Sequence, residues 1–251
     1  MTVRLADRGI RLILLDIEGT TTPIAFVHDV LFPFARARLA TWCREFGASG
    51  EYTDIARRLA AEHADDLRQS APVPPWHADS PETEHASLVA YAEWLMDRDR
   101  KSPGLKLLQG LIWEQGYQSG ALRGVVYPDV APAIQEWHAA GVHVAIYSSG
   151  SELAQRRLFG STSDGDLTPF IAGFFDTSVG PKQSTASYTR ILAALGQEPS
   201  HGLFVSDAVS ELQAARFAGL EVILSVRPGN ATQPDHGLYP AVSSFREIEI
   251  V

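Results

Sequence analysis

The apolar residues near the start of the chain form a short continuous run that ends in an acid. Residues 11–16 read RLILLD, and an uninterrupted apolar run of this kind is typical of a strand buried on both faces of a parallel sheet. Similar runs predict further strands at residues 142–149, 203–207 and 221–226, and a weaker one at 173–176. We therefore expect Asp16 at the carboxyl end of a strand, where open α/β sheets bind ligands.

Helical patterns alternate with these strands in the second half of the chain. Apolar positions at helical spacing predict helices at residues 130–140, 151–158, 184–195 and 210–218. Glycines that are typical of helix ends follow several of them, at Gly141, Gly196 and Gly219. This alternation predicts an α/β fold with a doubly wound parallel sheet.

The pattern changes between residues 23 and 124. Long amphipathic stretches predict helices there, with no convincing strand, at residues 27–46, 52–69, 83–99 and 105–118. The sequence PVPP at residues 72–75 predicts a loop inside this region rather than a domain boundary. We therefore predict a Rossmann-like core formed by residues 1–22 and 125–251, and an all-helical insertion formed by residues 23–124.

The composition is that of a folded protein with an acidic surface. The chain of 251 residues is 45% hydrophobic and 20% charged, which disfavours disordered, collagen-like and membrane classes. Its formal charge of −9, without a basic stripe, disfavours nucleic acid and anionic membranes as partners. If the substrate is a phosphate, cations must be recruited at the site itself.

Cysteine usage and the N-terminal residues predict a cytoplasmic protein. Cys43 is the only cysteine, so no intrachain disulfide can form and a reducing compartment is favoured. Charged residues, Arg4 to Arg11, precede any apolar run, unlike a signal peptide. Apolar runs also fall short of the roughly 20 residues that a membrane-spanning helix needs.

The sequence DIEGTT after the first strand places two acids close together. Asp16 and Glu18 would diverge on a continued strand, but a loop can bring both carboxylates to one phosphoryl group. One acid can then attack phosphorus while the other handles the proton of the leaving oxygen. Taken alone, the motif is equally compatible with a strand end that carries solvated acids.

Two further motifs offer groups that bind phosphate. Ser148 and Ser149 end a predicted strand just before a helix, where hydroxyl and N–H groups favour an anion. Either Ser149 or Ser151 could instead simply cap the helix. Lys182 follows a Gly-Pro turn. A lone lysine is nearly always solvated at the surface, but phosphoryl transfer needs a cation and Lys182 is the best placed one.

The last motif, SDAVSE, again places an acid after a strand. Asp207 can complete a magnesium site with Asp16, because this hard ion takes oxygen ligands from one or two carboxylates, water and phosphate. Glu211 lies one helical turn further on. It either holds Lys182 in place or is a first-turn acid favoured by the helix dipole.

These four motifs together form a strong joint signal, because each ordinary explanation would have to hold independently. In the order acid-x-acid, serine, lysine, acid, the chain resembles the haloacid dehalogenase-like phosphatase superfamily. The resemblance implies that Asp16 attacks phosphorus and carries the phosphate covalently. It also implies that the helical insertion at residues 23–124 is a cap domain over a catalytic core.

A closer resemblance is to the enolase-phosphatases of methionine salvage, also called acireductone synthases. It rests on stretches spread over core and cap, and is weakest between residues 47 and 82. Glu18 is particularly specific, since ordinary members of the superfamily have Asp there. The stretches are residues 14–36 (LLDIEGTTTPIAFVHDVLFPFAR), 108–117 (LQGLIWEQGY), 146–160 (IYSSGSELAQRRLFG), 127–130 (YPDV), 174–182 (FFDTSVGPK) and 226–230 (VRPGN).

This resemblance implies roles for individual residues. One Mg²⁺ per chain is implied, held by the side chains of Asp16 and Asp207 and by the backbone carbonyl of Glu18. Substrate contacts are implied for Ser148, Ser149 and Lys182. The implied substrate is a small phosphorylated diketone, 2,3-diketo-5-methylthiopentyl 1-phosphate, and a monomer is the family expectation.

Two other functions compete with this interpretation. A sugar-phosphate phosphatase or mutase would share the core but differ in cap specificity. A non-catalytic binding protein would retain only the fold, but Asp16 and Lys182 are both present. The sequence does not identify the base for enolisation. Three residues of a family-like stretch in the predicted cap are candidates for substrate contact, although a helix that turns them outward is equally consistent with the sequence: Lys106, Gln109 and Trp113. His28 and His85 are expected at the surface or as helix-capping residues.

Overall fold

The computed structural model describes residues 2–233 and 236–250. Within them a six-stranded sheet has the order β4-β3-β2-β5-β6-β7, with parallel pairing throughout. The remaining strands, β1 and β8, pair with each other in parallel. The strands are β1 (Val3–Arg4), β2 (Leu12–Leu15), β3 (His143–Tyr147), β4 (Ile171–Phe175), β5 (Gly202–Ser206), β6 (Glu221–Ser225), β7 (Ala241–Val242) and β8 (Ile248–Glu249).

Helices connect the strands and also form a long insertion after β2. A π-helical segment, Val27–Leu31, separates α1 from α2. Short 3-10 turns are Ala6–Arg8, Thr168–Phe170, Pro199–His201, His236–Leu238 and Phe245–Glu247. The α-helices are α1 (Ile24–Phe26), α2 (Phe32–Phe46), α3 (Gly50–Arg68), α4 (Pro81–Met96), α5 (Pro103–Gln118), α6 (Val130–Ala139), α7 (Glu152–Gly160), α8 (Thr185–Ala194) and α9 (Val209–Phe217).

Strand β2 is the centre of the sheet. All of its side chains are buried, because β3 and β5 pair on either side of it and helices cover the sheet. On one face, Leu12 and Leu14 belong to a core that includes residues of α8 and α9. Successive side chains of a strand point to opposite faces, so Ile13 and Leu15 serve the other face. The predicted doubly wound parallel sheet is confirmed.

The glycines expected at helix ends have the backbone conformation that the prediction requires. Gly141, Gly196 and Gly219 have φ values of 79°, 63° and 94°, in the left-handed region that glycine adopts without strain. Each follows a helix of the core. The sequence analysis missed the short strands β1, β7 and β8, because two residues are too few to show a periodic pattern.

The chain divides into two compact units, Met1–His28 with Gly120–Val251 and Asp29–Ser119. This division lies a few residues from the predicted boundaries at 22/23 and 124/125. The second unit contains only helices and their connections, as expected for an all-helical insertion. Ser49, Ser80 and Ser102 cap its helices α3, α4 and α5. Across the described ranges, every helix is too short or too polar to cross a bilayer.

Candidate active site

The predicted site residues lie at the carboxyl ends of neighbouring strands. Asp16 follows β2, Ser148 follows β3 and Asp207 follows β5, and these strands are adjacent in the sheet. Lys182 lies in the loop that leads from β4 to α8. Residues separated by long stretches of sequence therefore meet at the edge where open α/β sheets bind ligands.

Asp16 and Lys182 form a buried ion pair. Lys182 Nζ lies 2.5 Å from Asp16 Oδ1 and 2.7 Å from Glu211 Oε2. The backbone N–H of Ile17 donates to the same Asp16 oxygen at 2.7 Å, and Ser206 Oγ donates to Glu211 Oε2 at 3.0 Å. Of the two roles left open for Glu211, the contact that holds Lys182 is therefore present.

Lys182 differs from an ordinary surface lysine in its surroundings. Only 8% of its side chain is exposed. Burial disfavours the charged ammonium, but the carboxylates of Asp16 and Glu211 more than offset this, so the pKa of Lys182 is raised. Burial and the charge of Asp16 raise the pKa of Glu211 despite the nearby lysine. Lys182 is thus shared by Asp16 and Glu211, and its single positive charge does not offset the negative charges of both carboxylates.

Hydroxyl groups hold the loop that carries Lys182. Buried side chains of β3 and α8 donate to three successive carbonyls, so the loop backbone has little freedom. Gly180 has a φ of 135°, and a Cβ at this position would clash with Ser187 Oγ. The Gly-Pro turn ahead of the lysine is thereby explained. The bonds run from Tyr147 OH to Gly180 O (2.8 Å), Ser187 Oγ to Pro181 O (2.8 Å) and Tyr188 OH to Lys182 O (2.7 Å).

Ser148 and Ser149 precede helix α7 without capping it. The cap is Ser151, whose Oγ accepts from the Ala154 N–H at 3.3 Å. Ser148 is buried and its Oγ accepts from the Gly150 N–H at 3.2 Å, a bond that does not use its own hydroxyl proton. Ser149 is exposed. Both hydroxyls are therefore able to donate to a phosphoryl oxygen.

Glu18 lies close to a histidine that the sequence analysis expected only at the surface or as a cap. His28 is half-exposed, and its Nε2 lies 3.1 Å from Glu18 Oε1. Burial raises the pKa of Glu18, Asp16 raises it further, and His28 lowers it, with a net rise. A raised pKa favours a carboxyl group that carries a proton. No sequence pattern links residues ten positions apart across a turn, so this contact was missed.

Asp207 has the surroundings of a metal-binding carboxylate. Burial, then the charges of Asp16 and Glu211, raise the pKa of Asp207 to about 7. Within residues 2–233 and 236–250 its carboxylate has no hydrogen-bond partner. Gly19, with a φ of 68°, lies against this carboxylate so closely that a Cβ would clash with it. This excess of carboxylate oxygens fits a hard dication.

The protein supplies only part of a complete ligand set for such an ion. The described part of the chain contains no cluster of three or more His, Cys, Asp or Glu side chains arranged to hold a metal. Mg²⁺ is typically bound by one or two carboxylates, while water and substrate phosphate complete its coordination. Asp16 and Asp207 offer the one or two carboxylates that Mg²⁺ typically takes from a protein.

The candidate cap residues lie on α5. Trp113 is buried and its Nε1 donates to the Leu31 carbonyl at 2.8 Å, which makes it a core residue of the helical unit. His85 is half-buried, with its ring edge-on to Tyr52 at a centroid distance of 4.9 Å. The three candidates differ in exposure, with two of them buried and the lysine partly exposed: Gln109, Trp113 and Lys106.

Comparison with known proteins identifies relatives over nearly the whole chain. A profile of the haloacid dehalogenase-like hydrolases matches residues 10–219. An enolase-phosphatase E1 from Synechococcus elongatus is 48% identical over 96% of this chain and 98% of the relative. A probable bifunctional methylthioribulose-1-phosphate dehydratase/enolase-phosphatase E1 from Vitis vinifera is 49% identical over 95% of this chain and 47% of that protein.

A solved structure supports the same relationship. The UTR4 protein of Saccharomyces cerevisiae is 34% identical and superposes with a TM-score of 0.73. The alignment covers 94% of this chain and 98% of the yeast chain. Similarity therefore extends over both the sheet-containing unit and the helical insertion.

Proposed function

Because the chain belongs to the haloacid dehalogenase-like hydrolases, and within them to the enolase-phosphatase E1 family, we propose that it is the enolase-phosphatase of methionine salvage. It converts 2,3-diketo-5-methylthiopentyl 1-phosphate to 1,2-dihydroxy-3-keto-5-methylthiopentene and inorganic phosphate. The observation that carries the proposal is the buried Asp16–Lys182 pair with Glu18 two residues away. This arrangement combines a nucleophile, a cation and a proton carrier.

The first step is enolisation of the diketone. A base removes a proton from the carbon that bears the phosphate, the C–H bonding electrons form a carbon–carbon double bond to the neighbouring carbonyl carbon, and the carbonyl oxygen takes up a proton to give the enol. Ser148, Ser149 and Lys182 bind the phosphate and keep it fixed while the carbon framework changes. Fixing the reacting group in this way removes part of the entropic barrier.

The second step transfers the phosphoryl group. An Asp16 carboxylate oxygen forms a bond to phosphorus while the bond from phosphorus to the enol oxygen breaks. Glu18 donates its proton to the departing oxygen, consistent with its raised pKa. Water then attacks the aspartyl phosphate and restores Asp16, with Glu18 accepting the proton. Lys182 offsets the negative charge of the carboxylate and phosphoryl groups as they meet.

Phosphatases of this family generally use Mg²⁺, and we propose one ion per chain. The Asp16 and Asp207 side chains and the Glu18 backbone carbonyl would hold it. When bound, the ion supplies Lewis-acid polarisation and offsets negative charge. The core from residues 1–22 and 125–251 would carry the chemistry, while the cap from 23–124 would select the substrate. A monomeric state and a cytoplasmic location remain predictions from the sequence.

A substrate comparison tests this function against the sugar-phosphate alternative. The purified protein with Mg²⁺ is given the diketone phosphate and, separately, a panel of sugar phosphates and simple phosphate esters. We expect kcat/KM for the diketone to exceed that of every ester by a factor of at least about 100, with acireductone formed in equal amount to phosphate. Equal efficiency on sugar phosphates, or phosphate release without acireductone, would contradict the proposal.

A further inference from the structure

Two motifs of the sequence, YPDV and VRPGN, meet in the interior of the sheet-containing unit. Arg227 Nη1 lies 3.0 Å from Asp129 Oδ1 and 2.9 Å from Asp129 Oδ2. Only 3% of the arginine side chain is exposed. Its guanidinium also lies over the rings of Tyr127 and Phe245, 4.5 and 4.7 Å from their centroids. The proposed reaction steps use none of these residues, although this is the most enclosed arginine–acid pair described in the chain.

The arginine contacts the loop that carries the catalytic acids. Arg227 Nε donates to the Thr20 carbonyl at 3.2 Å. Asn230 Nδ2 donates to the Gly19 carbonyl at 2.8 Å, and Ser225 Oγ donates to the same carbonyl at 3.0 Å. Three side chains, one from the last residue of β6 and two from the turn that follows it, therefore bind two successive carbonyls directly after Glu18.

A tight turn directs these side chains toward the loop. The Asn230 N–H donates to the Arg227 carbonyl at 3.1 Å, and Gly229 has a φ of 90°. Pro followed by Gly at the centre of such a turn is typical of type II geometry. The turn brings Arg227 and Asn230 to the same stretch of backbone, which explains the sequence RPGN.

The acid partner is itself held in place. Ser244 Oγ donates to Asp129 Oδ2 at 3.0 Å, and the Phe245 N–H donates to the same oxygen at 2.5 Å. Burial disfavours the Asp129 carboxylate, but the Phe245 N–H and Arg227 more than offset this, so the pKa of Asp129 is lowered. A buried ion pair often stabilises a protein no more than apolar residues of equal volume. A contribution to stability is thus a weak explanation for the presence of this ion pair in the interior.

We propose that Asn230, Arg227 and Asp129 are positioning residues that fix the Gly19–Thr20 backbone and thereby orient Glu18 for proton transfer. They touch no reacting atom and act through Glu18. The inference rests on the proposed role of Glu18 in phosphoryl transfer. Its physical basis is that a proton donor must lie within hydrogen-bond reach of the leaving oxygen, so a small shift of its backbone lowers the rate steeply.

A double-mutant cycle between Asn230→Ala and Glu18→Gln tests the inference. Asn230→Ala removes one bond to Gly19 and keeps the Arg227–Asp129 pair. We expect kcat for phosphate release to fall by about 10- to 100-fold, with KM changed less than about threefold. Ser225→Ala, which leaves the Asn230 bond to Gly19, should lose less. In the Glu18→Gln background, Asn230→Ala should cost less than about twofold, because the group it orients is gone.

Single-turnover assays at high enzyme concentration keep the slow variants measurable, and thermal unfolding verifies that each is folded. The inference is overturned if Asn230→Ala lowers kcat by the same factor with Glu18 intact and in the Glu18→Gln variant. It is also overturned if Asn230→Ala causes no loss of kcat when Glu18 is intact. The double variant Arg227→Met/Asp129→Leu removes both charges of the pair together. Like Asn230→Ala, it should lower kcat when Glu18 is intact and much less in the Glu18→Gln variant. If the double variant does not fold, the result for Asn230→Ala decides alone. If wild type fails to convert the diketone phosphate, the proposed function fails, and the cycle is run on the phosphate ester that it hydrolyses fastest.

Discussion

Asp16 and Glu18 are separated by one residue but lie in opposite environments. The Asp16 side chain is 6% exposed and its carboxylate contacts Lys182 at 2.5 Å. The Glu18 side chain is 44% exposed and its partner is a half-exposed histidine at 3.1 Å. The proposed nucleophile is therefore fixed by the fold, whereas the proposed proton carrier can exchange its proton with water or substrate. Rigidity and access to solvent are thus divided between two acids that are only two positions apart in the sequence.

The substitution Asp16→Asn is the strongest test of the role proposed for the buried acid. It removes the proposed nucleophilic carboxylate but keeps the shape and one oxygen, so we expect phosphate release to fall by about 10³-fold or more. Enolisation does not need the nucleophile. In heavy water the variant should exchange deuterium into the carbon that bears the phosphate. Phosphate release near the wild-type rate would show that Asp16 is not the nucleophile.

If the Asp16→Asn variant shows neither exchange nor release, excess magnesium separates the possible causes. Mass action can refill a weakened metal site but cannot replace a nucleophile. Recovery of deuterium exchange alone is the expected result. Recovery of phosphate release would instead place the defect in metal binding.

Lys182→Met should affect both activity and stability. A solvated surface lysine could be removed with little effect on the fold, but the Lys182 side chain is buried. Removing it leaves Asp16 and Glu211 unpaired in the interior, at a cost of about 3–5 kcal/mol. Chemical denaturation measures this loss. Adding Glu211→Gln should restore part of the stability without restoring phosphate release; an unchanged stability of Lys182→Met would contradict the buried pair.

Asp207→Asn should stabilise the metal-free protein at alkaline pH. The pKa of Asp207 is raised to about 7 in the fold, so the folded state binds more protons than the unfolded one and stability falls as pH rises from about 4 through 7. Above pH 7 the amide avoids this penalty. Because Asp207 is partly exposed, we expect a gain of only about 1 kcal/mol, or about 2–4 °C in Tm.

Differential scanning calorimetry with a chelator at pH 5 and pH 8 measures this effect. The gain should be present at pH 8 and small at pH 5, and added Mg²⁺ should raise Tm less in Asp207→Asn than in wild type. The exposed Asp164→Asn variant is the matched control. Equal magnesium-induced shifts in wild type and Asp207→Asn would exclude Asp207 as a ligand.

The smallest effect on activity is expected when His28, the partner of the exposed Glu18, is replaced. His28 lowers the pKa of Glu18, so His28→Gln should raise it further. A proton donor is lost as pH rises through its pKa; the alkaline limb of the pH–rate profile should therefore move to higher pH, with kcat changed by about two- to fivefold. His85→Gln should leave the limb in place. A shift to lower pH would contradict the assigned contact.

Much of this arrangement could be predicted because its signals are local in sequence. Buried strands produce apolar runs, and acids at strand ends such as Asp16 and Asp207 interrupt them. The burial of Lys182 was not predictable in this way, because it depends on a partner 166 residues away. The Arg227 contact with Thr20, across 207 residues, is likewise set by strand order rather than by any neighbouring residue.

The position of β2 between two parallel neighbours also sets how its amides exchange with solvent. The Asp16 N–H donates to the Val205 carbonyl at 3.0 Å, in the centre of the sheet. Amides in such places exchange hydrogen only when the whole domain unfolds, whereas loop amides exchange through local opening. The exchange rate of this single amide should therefore report the global unfolding free energy of the protein and stay independent of local motion in the loop that follows it.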